Sequence, residues 1–448
     1  MKEIRLENFR CYSDQLILFR PGINLLIGDN ASGKTSVLKA CKYVLSAFFS
    51  GFSDENTKWL NPDVDDFTQI EHNGIIQPEK PITIHFNIED TVQYPELLEQ
   101  SQSLIKVPVQ YSLQKNSKKN SRSLITGIKE YKEYATLLHK NLYEKDSLQQ
   151  QKALPLFACF STEDIHATRK LDANKFIKYA QKSSFGYYEC LDGNGFFPYW
   201  VKRLLVLKEG NKNLEEIEIV RQAIIKALGE TCNIIRDIEI RPNQKKVYYI
   251  LTDGREVEAN YLSDGHRRLV NIVTDLAFRC ALLNRGIYGL EACSKTKGTV
   301  LIDEIDLHLH PSLQACVFKA LRKAFPELQF IATTHAPMVM SGIESNEENI
   351  VYKLRYSASG GYKIDETQTY GMDSSTITDI ILEQTPRDAN VNKELELLFG
   401  YIDEEQYKKA QSKLSEMREK FGDNLPELSK AESMLNFMMD DNEDDNEE

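Results

Sequence analysis

Leu26–Leu38 reads LIGDNASGKTSVL. Upstream, Ile23–Ile27 is an apolar run of the kind that forms a buried strand. Downstream, Val37, Leu38, Cys41, Val44, Leu45 and Phe48 recur at helical spacing. Gly28, Gly33, Lys34 and Thr35 therefore sit in a turn between strand and helix, in the pattern G-x-x-x-x-G-K-[ST]. Glycines there let backbone N–H groups converge on phosphate oxygens, and the helix N-terminus adds partial positive charge. Asn30, Ser32 and Ser36 complete the candidate nucleotide-binding set. Lys34 is placed to neutralise β- and γ-phosphate oxygens and Thr35 to ligate Mg2+, so the expected ligands are ATP and Mg2+.

A second apolar run, Thr299–Ile302, ends in Asp303 and Glu304. Two acids capping a strand are unremarkable alone. Beside a phosphate loop they acquire roles: Asp303 holds Mg2+ through water, and Glu304 orients and deprotonates the attacking water. The stretch YLSDGHRRL begins at Tyr261, and Ser263 and Gly265 open a helical pattern through Leu269, Ile272, Val273 and Leu276. Ser263 is an ordinary helix cap by itself; it is also a second helix N-terminus suited to an anion. His335 closes FIATTH at a strand end, where a histidine can meet a γ-phosphate.

The chain has 448 residues and a formal charge of −12, on the order of two or three domains by length. Much of the charge lies in the tail MMDDNEDDNEE, which lacks apolar residues to bury and is expected to be disordered. No apolar run approaches the roughly 20 residues that span a bilayer, and MKEIRLENFR has no signal-peptide core. The eight cysteines are scattered without a CxxC pair, which reads as core filling in a reducing cytoplasm.

Strands alternate with helices around the two apolar runs, which predicts an α/β sheet with helices on both faces. DIEIRP and VYYILTDG read as a hairpin turning near Asn243 and Gln244, and NIVYKL as a strand after LQFIATTH. The expected organisation is 1–90 as the first part of an ATPase head and 91–229 as a mostly helical insertion or lobe. Residues 230–355 form the second part of the head, 356–438 a helical C-terminal region and 439–448 the acidic tail. Within the C-terminal region, two stretches, from Asn392 and from Leu425, read as an antiparallel helical pair.

These elements, in this order, resemble the ABC-type ATPases of the RecF and SMC branch. IRLENFRCYSD is similar to the branch's opening strand, GDNASGKT to its Walker A and LSDG to its signature. VLIDEIDLHLHP resembles its Walker B and D-loop, and QFIATTHAP its switch-histidine segment. A narrower resemblance, carried by LSDGHRRLVNIVTDLAFRCALLN, GTVLIDEIDLHLHPSLQ and the stretch from Thr385, is to the PtuA ATPases of Septu and retron anti-phage systems.

The resemblance implies a head with a helical signature lobe, a helical insertion and a helical C-terminal extension. Two heads sandwich two nucleotides, with Leu262, Ser263, Asp264, Gly265 and His266 reaching the other head's γ-phosphate in trans. Asp306 of the D-loop and His335 sense that phosphate, Gln69 is a candidate Mg2+ ligand, and the nuclease partner is an HNH protein, PtuB. The expected assembly is a homodimer or higher homo-oligomer, cytoplasmic and without membrane contact. LSDGH departs from the common LSGGQ at Asp264 and His266, and an extra carboxylate near phosphate implies slow or partner-dependent hydrolysis.

The competing readings are a RecF-like DNA-repair ATPase and the ATPase subunit of another defence system such as PARIS. A DNA-binding head calls for a basic stripe, toward which Lys115, Lys118, Lys119 and Arg122 could contribute. A transporter subunit is disfavoured because roughly 230 residues separate Thr35 from Ser263. Intact Lys34, Asp303 and Glu304 oppose an inactive scaffold.

Overall fold

Ile23–Ile27 is buried along its whole length, at the middle of a six-stranded sheet. The computed structural model describes residues 1–72, 75–79, 81–88, 110–116, 126–143, 152–162, 182–193, 196–211, 213–358, 360–385 and 387–444. The strands are β1 (Glu3–Phe9), β2 (Tyr12–Leu18), β3 (Ile23–Ile27), β4 (Gln69–His72), β5 (Ile75–Pro78), β6 (Ile82–Asn87), β7 (Gln110–Lys115) and β8 (Leu156–Phe160). They continue as β9 (Ile235–Arg241), β10 (Lys246–Leu251), β11 (Glu256–Glu258), β12 (Gly298–Ile302), β13 (Leu328–Thr333), β14 (Ile350–Ser357) and β15 (Gly361–Thr367). The longer helices are α1 (Lys34–Ser46), α2 (Lys129–Tyr143), α3 (Phe197–Glu209), α4 (Leu214–Ile224), α5 (Asp264–Tyr288), α6 (Val317–Ala324), α7 (Ala389–Asp403), α8 (Tyr407–Phe421) and α9 (Pro426–Asp444).

The central sheet runs β15-β14-β3-β13-β12-β8, parallel except at β15. Its inner strands are apolar on both faces, as a sheet covered on both sides requires. The order has one consequence for the site: β13 lies between the loop strand β3 and the acid strand β12. Residues following β13 are therefore wedged between phosphate loop and acids. An antiparallel sheet, β2-β1-β6-β7, and a small sheet, β11-β10-β9, complete the described strands of this part, with the hairpin β4-β5. Helix α5, 25 residues long, is buried nearly continuously from Arg268 to Asn284.

Gly298 shows how tightly β12 meets its neighbour. A Cβ there would lie 2.0 Å from the carbonyl oxygen of Leu156 on β8. Gly298→Ala is therefore expected to cost about 1–3 kcal/mol of unfolding free energy, by analogy with overpacked cores. Denaturant titration reads it, and an unchanged midpoint would mean that β8 does not pair there.

The chain divides into two units, Met1–Ile377 and Thr378–Glu448. The second is built around Leu398, Ile402, Ala410, Met417, Leu428 and Ala431. It holds three helices where the sequence suggested a pair. The first stretch breaks between α7 and α8, where Glu405 adopts φ 58°. Asp403, Glu404 and Glu405 crowd the C-terminal end of α7, where carboxylates oppose the helix dipole.

Other expectations need correction. Segment 91–229 is not simply a helical insertion: β7 completes the antiparallel sheet and β8 joins the central one. Region 356–438 begins with β15, an edge strand whose half-exposed, polar composition hides its pairing with β14. The acidic tail is not wholly unstructured, because α9 runs through Asp444, extending a helix already anchored by Leu428, Ala431 and Leu435; residues 445–448 lie outside the described ones. Lys115 is buried with its ammonium on the carbonyl of Pro62, not on a basic surface loop. Lys118, Lys119 and Arg122 lie outside the described residues. Among those described, no helix is long and apolar enough to cross a membrane.

Candidate active site

The loop between β3 and α1 is held open by backbone that other residues tolerate poorly. Gly33, immediately before α1, has φ 97°, and a Cβ on it would lie 2.4 Å from Tyr12 Oη. Gly28 has φ 139°, and its Cβ would lie 2.1 Å from the carbonyl oxygen of Leu354 on β14. Glycine satisfies both demands at once. Asn30 and Thr35 are exposed, whereas Ser32, Lys34 and Ser36 are buried. The Lys34 ammonium turns back into the loop, donating to the carbonyls of Gly28 (2.8 Å) and Asp29 (2.7 Å). Burial pulls its pKa down, and Asp29, Asp303, Glu304 and Asp306 push it back up. The electrostatics thus join the loop to the acids at the end of β12. Four carboxylates face this ammonium, a surplus of negative charge that suits a divalent cation bridging to phosphate. Thr35 at the helix start and Asp303 are the residues that would hold Mg2+, so the donor set fits the ion.

The wedge between loop and acids is a pair of threonines at the end of β13. Thr333 Oγ1 donates to Asp303 Oδ1 at 2.6 Å and accepts from the Glu304 N–H at 2.7 Å. Thr334 Oγ1 donates to Asp306 Oδ1 at 2.5 Å and accepts from the Ala336 N–H at 3.0 Å. Each hydroxyl fixes one acid and one backbone amide, and His335, half-buried, follows directly. Glu304 itself has φ 47°, a left-handed conformation that costs a residue with a Cβ about 1–2 kcal/mol. Thr333→Val keeps the shape and removes the hydroxyl, leaving the Glu304 amide unsatisfied. That variant is expected to lose about 1–3 kcal/mol of stability together with turnover, read by thermal melting and phosphate release. Wild-type values for both would remove Thr333 from the site.

The signature residues lie at the start of α5. Ser263 caps the helix, its Oγ accepting from the His266 N–H at 3.5 Å. Ser263 and Asp264 are exposed, Leu262 is buried, and His266 is half-buried. Burial, and secondarily Arg255, keeps the His266 imidazole below its ordinary pKa. A Cβ on Gly265 would lie 2.5 Å from the carbonyl oxygen of His308, so the helix tip rests on the backbone that follows Asp306.

Gln69 is exposed at the start of β4, and its amide donates to the Phe67 carbonyl at 3.1 Å. The organising group nearby is Asp66, fully buried. It accepts from Tyr43 Oη at 2.6 Å and pairs with Lys39 (2.7 Å) and Arg10 (3.5 Å). Thr333, Thr334 and Arg268, whose guanidinium bonds the Asp303 and Glu304 carbonyls, are the site's residues that sequence reasoning missed. The doubled threonine directly before a strand-end histidine was the one visible signal; an arginine in HRRL reads as surface.

Comparison with known proteins agrees with this geometry. Residues 23–341 match the family described as "AAA domain, putative AbiEii toxin, Type IV TA system". The chain is 26% identical to the "Retron Vc95 probable ATPase" of Vibrio cholerae serotype O1 biovar El Tor over 383 residues, covering 74% of this chain and 69% of that one. It is 41% identical to the "Septu protein PtuA" of Bacillus mycoides over 86 residues, 19% of this chain and 11% of that one. It is 52% identical to the "DNA replication and repair protein RecF" of Limosilactobacillus reuteri over 61 residues, 14% of this chain and 16% of that one. The resemblance to the RecF and SMC branch, and within it to PtuA, is thus borne out. The matched family span contains the phosphate loop, the acid pair, the threonine wedge and the signature helix, and the chain belongs to that AAA-domain family as an ATPase.

Proposed function

We propose that this ATPase binds and hydrolyses ATP between two copies of its head and uses the cycle to control a nuclease partner in anti-phage defence. Supporting the shared site, Ser263 and Asp264 are exposed at the tip of α5 while the helix behind them is buried against its own head. The tip is thereby presented outward, as a group acting on a second head must be. Lys34 would neutralise phosphate, Ser32 and Ser36 line the loop, and Thr35 and Asp303 would hold Mg2+, which would supply positive charge against the developing charge on the phosphate. Glu304 takes the proton from the attacking water. Asp306 and His335, joined through Thr334, register whether the γ-phosphate is present.

The defence role draws on the retron and Septu relatives, and the HNH nuclease partner on the resemblance to the PtuA ATPases alone. A RecF-like DNA-binding role is the second reading, favoured by the short RecF match. DNA affinity measured against salt separates them: a steep decline with salt concentration marks a DNA-binding head.

Mixing two inactive variants tests the shared site. Ser263→Arg blocks the signature and Lys34→Ala empties the loop, so each alone should be inactive. In a mixed dimer one composite site retains both an intact loop and an intact signature. Recovery of about a quarter of wild-type turnover is expected, from half the dimers carrying one of two sites, provided that single sites fire independently. No recovery would favour action within one head.

A further inference from the structure

We infer that Arg268 is a positioning residue for Glu304 of its own head, so that the helix that reads a neighbour's nucleotide also aims this head's base. The inference rests on the roles proposed above for Ser263 and Glu304. Arg268 lies on α5, five residues beyond Ser263, and its side chain is wholly buried. Its guanidinium reaches main-chain oxygens at the end of the acid strand. Nη2 donates to the carbonyls of Asp303 (2.8 Å) and Glu304 (3.0 Å), and Nη1 to that of Ser161 at the end of β8 (3.4 Å). A permanently charged, planar group with several donors suits such a span, because it grips adjacent carbonyls in one fixed geometry.

The grip falls on the residue that needs it. Glu304 holds its left-handed backbone because both of its peptide groups are tied down. Its N–H is bonded to Thr333 Oγ1, its C=O to Arg268, and the next N–H, of Ile305, to the Thr333 carbonyl at 3.0 Å. Those peptide planes set the direction in which the Glu304 side chain leaves the chain. One of the clamps comes from α5, and the tip of the same helix rests on His308 through Gly265. A displacement of α5 when Ser263 engages a phosphate would therefore carry the Glu304 carbonyl with it. Signature engagement on one side of the dimer is thereby coupled to base geometry on the other.

Arg268→Met in both heads should lower kcat about 10²-fold, the scale of a misplaced catalytic group, with ATP KM within about threefold. Mixed dimers then locate the effect, each compared with Lys34→Ala mixed with wild type. When Lys34→Ala and Arg268→Met share one head beside a wild-type partner, the loaded loop retains its own Arg268, and the rate should equal that of the reference mixture. When Lys34→Ala is in one head and Arg268→Met in the other, the loaded loop lacks its Arg268 and the rate should fall about 10²-fold. Equal rates in the two arrangements, or normal kcat in the Arg268→Met homodimer, overturn the inference.

If Arg268→Met does not fold, judged by thermal melting, Arg268→Lys is used in the same pair of mixtures. A lysine reaches fewer carbonyls, so the same asymmetry is expected at about tenfold; its absence also overturns the inference. Failure of the underlying reading is separately visible. If Glu304→Gln forms no ATP-dependent dimers by light scattering, the shared site fails, whatever Arg268 does to kcat.

Discussion

Glu304→Gln is expected to lower ATP turnover by about 10²–10⁴-fold, the usual worth of a positioned general base, while ATP-bound dimers accumulate. The substitution keeps the side chain's size and leaves the backbone clamps of Thr333 and Arg268 in place. It removes the lone pair that takes a proton from water, and little else. Lys34, Thr35 and Asp303 remain to hold the nucleotide, so binding survives and the cycle stops before hydrolysis. Phosphate release gives the rate and light scattering the dimer. Normal turnover would remove Glu304 as the base.

Lys34→Ala is expected to abolish nucleotide binding, with ATP affinity falling at least about 10²-fold, or roughly 3 kcal/mol. The size follows from the company that the ammonium keeps. Asp29, Asp303, Glu304 and Asp306 all act on it, and without it they would face the triphosphate unopposed. Calorimetric titration measures the loss, and retained tight binding would contradict the loop assignment.

The same residue predicts a pH dependence. Burial lowers the Lys34 pKa in the free head, whereas phosphate favours the charged form and raises it. Binding therefore takes up a proton where free Lys34 is partly neutral. Affinity should be full below the lowered value and decline as pH rises through it. A flat profile through the alkaline range would show that Lys34 stays charged without phosphate.

The loop and the acid pair were legible because each is a local pattern whose meaning survives without tertiary context. GDNASGKT needs only the strand before it and the helix after it. VLIDE needs only a buried strand that ends in charge. What escaped the sequence is what joins them. Thr333 and Asp303 are 30 positions apart, and Arg268 and Asp303 35; no periodicity links residues at such separations. The order of the central sheet was equally hidden, since nothing in LQFIATTH says that it lies between β3 and β12. Gln69 rested on residue type alone, with no local pattern behind it; its amide donates to the Phe67 carbonyl in its own turn. Strand β15 was missed because YKIDET is polar enough to pass for loop, although Gly360 and Gly361 before it mark a turn and thereby a hairpin with β14.

The central claim is that the tip of α5 in one head completes the reaction centre of another. Its most direct measurement is a structure of the Glu304→Gln protein with ATP and Mg2+. The account predicts a two-fold dimer with Ser263 Oγ of each protomer about 3 Å from a γ-phosphate oxygen bound by its partner's Lys34. A structure in which Leu262–His266 stay remote from every triphosphate would contradict it.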